Sequence, residues 1–81
     1  MMGVVASRDP FKETLTPAPD GIVQQFYTSQ AYKPGSVAVW QNGIKVIGDW
    51  DDGFTETGAS EITMNEAPLT GDSVQAEYEP L

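Results

Sequence analysis

Tyr32-Lys33-Pro34-Gly35-Ser36-Val37-Ala38-Val39-Trp40-Gln41-Asn42-Gly43-Ile44-Lys45-Val46-Ile47 reads as a turn, a strand, a two-residue hairpin loop and a second strand. Asn-Gly between two alternating apolar runs is a strong hairpin signal. A type I′ turn needs positive φ at both central residues, and Asn and Gly tolerate that best. Pro34 presets φ for the second position of a turn, and Gly35 follows where a type II turn requires positive φ. The hairpin loop sets the register: Gln41 opposite Ile44, Trp40 opposite Lys45, Val39 opposite Val46 and Ala38 opposite Ile47. Side chains alternate along a strand, so Val37, Val39, Ile44 and Val46 share one face, the expected core face. Ala38, Trp40 and Ile47 share the other, with the Trp40 ring expected to cover the Lys45 stem. Apolar residues on both faces predict that the second face is covered as well, by an arm of the chain or by a partner.

Working outward, Asp20-Gly21 is a turn that launches a strand over residues 22–28, with Ile22 and Phe26 facing the core. After the hairpin, residues 48–53 are an acidic loop containing Trp50. Short strands are then expected over residues 54–56, 61–65 and 73–78, with a break at Gly58 and a turn over 67–72. Ile62 and Met64 should point inward, as should Val74, Ala76 and Tyr78, which alternate with Ser73, Gln75 and Glu77. Five or six short strands predict an all-β fold, a small antiparallel sandwich or barrel (Ig-like), over residues 21–81. In residues 1–20, Pro10, Pro17 and Pro19 interrupt any helix or central strand. That stretch is expected to be an extended N-terminal arm, with Phe11 and Leu15 as apolar anchors on a neighbouring subunit. Phe11, Leu15, Trp40, Ile47 and Trp50 are the candidate interface residues.

Composition narrows the function. The 81 residues contain no Cys and no His, so disulfides and a structural zinc site are not expected. The usual catalytic base and nucleophile pairings cannot be built without them, and an enzyme is not expected. Four Lys and Arg against twelve Asp and Glu give a net charge of −8, which argues against phosphate-directed nucleic-acid binding. All four cations lie in residues 1–48, whereas residues 49–81 hold nine acids and no cation. The start Met1-Met2-Gly3-Val4-Val5 has no basic n-region, and no apolar run approaches a membrane span. Neither a signal peptide nor a membrane partner is expected. Asp49-Trp50-Asp51-Asp52-Gly53 has the composition of a calcium loop. It departs from the EF-hand pattern, because the third acid directly follows the second, Gly comes one place early and Ser60 stands at position 12. A solvated acidic turn is expected there, with no metal and no cofactor. The aromatic residues Trp40, Trp50, Tyr32, Tyr27, Phe54 and Tyr78 suit core, protein interface or ligand platform, in that order.

From Ser7 to Leu81 the chain resembles a recurrent class of small structural modules of tailed bacteriophages. The resemblance is carried by Ser7-Arg8-Asp9-Pro10-Phe11-Lys12-Glu13-Thr14, by Asp20-Gly21-Ile22-Val23-Gln24-Gln25-Phe26-Tyr27-Thr28 and by the hairpin from Tyr32 to Gly43. It continues through Asp51-Asp52-Gly53-Phe54-Thr55-Glu56, Ile62-Thr63-Met64-Asn65-Glu66-Ala67-Pro68 and the stretch from Gly71 to Tyr78. These motifs are turns, strand ends and inward aromatics rather than catalytic groups. Gln41 departs from the pattern, where an apolar residue is usual. The resemblance implies a virion component assembled in the host cytoplasm. Small size without staples, an anchored arm and a two-sided apolar hairpin point within that class to a capsid decoration or cement subunit. Such a subunit would be a homo-oligomer, a trimer by preference, bound to the major capsid protein. A head–tail or tail-associated component, or a host-surface glycan-binding module, are the alternatives.

Overall fold

The computed structural model of the chain describes residues 10–47 and 53–81. Those residues form seven strands and no helix: β1 (Phe11–Thr14), β2 (Gln25–Tyr27), β3 (Ala38–Gln41), β4 (Ile44–Val46), β5 (Phe54–Gly58), β6 (Glu61–Met64) and β7 (Val74–Tyr78). They make two antiparallel sheets, one of order β1-β7-β3-β4 and one of order β2-β6-β5.

The hairpin forms as its loop dictates. Asn42 and Gly43 have φ of 54° and 82°, both positive as a type I′ turn requires. The pairs Val39–Val46, Trp40–Lys45 and Gln41–Ile44 are those the loop length sets. At the preceding turn Gly35 has φ of 83°, and the Ser36 amide donates to the Lys33 carbonyl at 3.0 Å. A Cβ at Gly43 would meet nothing within 4 Å, so a side chain there strains only the backbone. Gly43→Val is therefore expected to cost about 1–2 kcal/mol, the left-handed penalty of an L-residue. Chemical denaturation reads this as a lowered midpoint, and an unmoved midpoint would exclude the positive-φ turn.

Strands β7 and β6 carry the clearest two-residue periods, and both behave as read. Val74, Ala76 and Tyr78 are buried while Gln75 and Glu77 are half-buried, and Ile62 and Met64 point inward. With Val39 and Phe26 they form one cluster drawn from both sheets, completed by Leu15 and Tyr32 from the connections.

Three expectations are corrected. First, the strands number seven, because Phe11–Thr14 is a strand on β7 and not part of a free arm. The boundary expected at residue 20 is therefore not where the chain joins the sheets. Prolines at 10 and 17 bracket a proline-free stretch long enough for an edge strand, where one side of the backbone needs no partner. Second, Ile22 is 82% exposed. The Asp20 carboxylate accepts from the amides of both Ile22 and Val23 at 2.8 Å, which turns the backbone so that Val23 packs on the core instead. Third, Ile44 lies on the core-facing side but is 73% exposed, because it sits at the hairpin tip beside the turn.

The two sheets are linked at both ends of β7. The Leu15 amide donates to the Val74 carbonyl at 2.9 Å, and the next residue, Thr16, bridges to Tyr27 of β2. Beyond β7, the Lys33 amide donates to Glu79 and the Leu81 amide to Ala31, while the Tyr32 amide donates to Ala59 in the β5–β6 turn. β4 and β5 each end their sheet, so no closed barrel forms among the described residues.

Candidate interaction face

The outward side of the four-stranded sheet is built from two rows that the register sets. Thr14, Gln75, Trp40 and Lys45 lie in line across β1, β7, β3 and β4, and Lys12, Glu77 and Ala38 form the next row. By alternation Ile47, one step past β4, continues the same side. Trp40 is half-buried, Ile47 is exposed, and the Lys12 Nζ stands 4.5 Å from the centroid of the Trp40 ring. That is cation–π distance, where the ring face attracts the ammonium. Lys45 stands opposite Trp40 in the register, as the hairpin loop predicts, and the cation placed over the ring is Lys12 of β1.

This face differs in charge from the rest of the molecule. Leaving out Arg8, Asp9, Asp49, Asp51 and Asp52, the described residues hold three cations and eight acidic side chains. Lys12 and Lys45 are on this face, and Glu77 is the one acid there.

The five candidate interface residues separate. Trp40 and Ile47 come together on the outer face. Leu15 is 2% exposed in the chain's own core, which corrects its expected role as an anchor on a neighbour. The Leu15 backbone pairs with β7 as the chain crosses to β2, and that places its side chain between the sheets. Phe11 is 38% exposed and packs edge-on against Tyr78, with ring centroids 5.8 Å apart, so it too is used within the chain. Trp50 lies outside the described residues, as do Asp49, Asp51 and Asp52 of the acidic loop. Lys12 was missed because its place on the face depends on β1, which the prolines obscure.

A second group also escapes sequence reading. The Tyr78 hydroxyl donates to Glu13 Oε2 at 2.5 Å, and the Ser29 amide donates to the same oxygen at 2.9 Å. Burial pushes the Glu13 carboxyl up, but the bonds from Tyr78 and Ser29 outweigh it and leave the group below the usual carboxylate range. Tyr78 is raised, first by burial and then by the carboxylate it donates to. Residues 13 and 78 carry no local signal of this contact. Asp72 is lowered as well, by the side chain of Asn42, the amide of Leu69 and the side chain of Gln41. Gln41 and Asn42 reach it at 3.0 and 2.9 Å, and the Ser73 amide donates to Asn42 Oδ1. Gln41 thus serves to tie the hairpin to the turn before β7.

Lowered carboxylates have a defined sign in pH. A group whose folded pKa is depressed contributes stability above its unfolded pKa and loses it as pH falls through the folded value. Glu13 and Asp72, with Asp20 lowered by the amides of Val23 and Ile22, all act in that direction. Melting temperature is expected to fall as pH drops below about 4, the ordinary carboxylate range. Glu13→Gln should flatten part of that fall, and an equal acid loss in the variant would remove Glu13 from the account.

Beside the outer edge of β4 an open groove of about 590 Å³ runs between Ile44, Val46 and Ile47 on one side and Ala67 and Leu69 on the other. Among the described residues no group of three or more His, Cys, Asp or Glu is placed to hold a metal ion. What the arrangement offers chemically is surface: a sheet face bearing Lys12, Trp40 and Lys45 next to a groove whose apolar residues alternate with Gln41, Asn42, Glu66 and Asp72. No protein-family model, curated protein or solved structure matches this chain.

Proposed function

We propose that this chain is a non-enzymatic structural protein of a tailed-bacteriophage particle, a decoration or cement subunit of the capsid. In this reading the two sheets are an Ig-like sandwich. The subunits form a symmetric oligomer, a trimer, seated on the major capsid protein, and the chain's place is the virion, assembled in host cytoplasm. The observation that carries the reading is the sheet face on which Trp40 and Ile47 stand with Lys12 and Lys45, apolar and cationic in an acidic molecule. The phage-like motifs support it, since Pro34-Gly35, Asn42-Gly43 and Gly71-Asp72 all fall at turns that shape this sheet. Attachment is assigned to this face rather than to Phe11 and Leu15, which are engaged within the fold.

Copy number in purified particles tests it. A decoration subunit repeats over the whole shell, whereas a head–tail or tail-associated protein closes into a single ring and is present in far fewer copies. Absence from particles overturns both. The half-exposed Trp40 ring favours one reading of another class, a host-surface glycan module. That reading requires binding to a host cell-wall fraction, lost in Trp40→Ala without loss of fold.

A further inference from the structure

The hairpin loop Asn42-Gly43 is also the pairing in which an asparagine side chain is most open to attack by its own backbone. The nucleophile is the amide nitrogen of the following residue, and a glycine there has no Cβ to shield it. A Cβ at Gly43 would meet nothing within 4 Å, so the space beside that nitrogen is open in the fold as well. Asn42 itself is exposed to water.

Against this stands a restraint on the Asn42 side chain. Its Nδ2 donates to Asp72 Oδ1 at 2.9 Å, and its Oδ1 accepts from the Ser73 amide at 2.9 Å. The Asn42 amide donates to the Ser73 carbonyl at 3.0 Å. Asp72 is fixed in turn, since its Oδ2 accepts from the Leu69 amide at 2.9 Å and from Gln41 Nε2 at 3.0 Å. Attack must draw Asn42 Cγ to the Gly43 nitrogen, and both side-chain bonds oppose that movement.

We propose that Asn42 is a self-modification site that the fold holds closed, and that its conversion releases the hairpin from the turn before β7. The Gly43 nitrogen gives up its proton and bonds to Asn42 Cγ; the Cγ–Nδ2 bond breaks and ammonia leaves. Water then opens the succinimide ring at either carbonyl, with no transfer of electrons to or from another molecule. One opening leaves aspartate, and the other leaves isoaspartate, in which the main chain runs through the former side chain. Aspartate has no Nδ2 donor and sets a second carboxylate where a hydrogen bond to Asp72 stood, so attraction becomes like-charge repulsion. Isoaspartate lengthens the main chain of a loop whose length sets the strand register. None of this depends on the capsid partner proposed above.

Wild-type protein kept folded, and the same protein unfolded in urea, tests this in one mildly alkaline buffer, with aspartate and isoaspartate at residue 42 followed by peptide mapping. Conversion in the folded protein should be about tenfold slower or more than in urea, because the hydrogen-bonded tie must open first. Asp72→Ala, in samples that keep a cooperative melt, should move the folded rate towards the urea rate. Gln41→Ala leaves both Asn42 side-chain bonds in place and should move it less. Asn42→Asp, made directly, should lower the denaturation midpoint below that of the wild type. Equal rates in the folded and unfolded wild type overturn the restraint, and an Asn42 that survives in urea overturns the site. The wild-type comparison decides both even where Asp72→Ala fails to fold. A folded Asp72→Ala that converts no faster than wild type removes Asp72 from the restraint, and an unmoved Asn42→Asp midpoint overturns the release of the hairpin.

Discussion

Deleting residues 1–16 is expected to leave a chain that no longer folds. The cut removes all of β1, and with it the ladder that pairs Phe11–Thr14 with β7. It removes Leu15, fully inside the core, and the Thr16–Tyr27 bridge that joins one sheet to the other. Tyr78 loses both its carboxylate partner Glu13 and the Phe11 ring against it. Truncating a buried Leu to Ala alone costs about 2–5 kcal/mol. A domain of this length has about 4–12 kcal/mol of total stability at typical per-residue values. The deletion takes away more than the side chain, so the sum exceeds what the remaining strands hold. Far-ultraviolet circular dichroism and amide proton dispersion should report a disordered chain. Deleting residues 1–9 removes none of the described contacts and is the control for handling of the terminus. If the 1–16 deletion retains a cooperative melt, β1 is dispensable and the arm expected from sequence regains its standing.

Phe26→Ala is expected to destabilise by about 3–5 kcal/mol, the range for emptying an aromatic site in a packed core. Phe26 has no solvent exposure and sits opposite Ile62, between the two sheets. Its neighbour Tyr27 is 47% exposed on the other side of the same strand. Tyr27→Ala should therefore cost less, about 1 kcal/mol, because about half of what it removes was already in water. The pair compares adjacent residues of similar size in one three-residue strand, so backbone propensity nearly cancels. Urea denaturation with both variants reads the difference directly in the midpoints. Equal losses would mean that β2 does not present alternate sides to core and solvent.

The acid sensitivity and the Gly43 substitution report on smaller effects that are carried by local groups. The two changes above report on how distant parts of the chain are joined, and that division runs through the whole molecule.

Sequence alone determined the all-β class, the Asn42-Gly43 hairpin with its register, and the inward sides of the strands holding Ile62, Met64, Val74, Ala76 and Tyr78. Each of these depends on interactions within a few residues: positive φ at a loop, or alternation along one strand. Tertiary structure decided that Phe11–Thr14 is an edge strand, that Leu15 is core, and that Ile22 yields its inward place to Val23. Prolines at 10, 17 and 19 are correct signals of interruption, but a strand short enough to fit between them gains its partner only from β7, more than sixty residues away. Tertiary structure also assembled the candidate face. Trp40 and Ile47 were legible as the second side of the hairpin, whereas Lys12 joins them only because β7 lies between β1 and β3. Strand order within a sheet is set by packing of the whole chain, and no local pattern encodes which strand lies beside which.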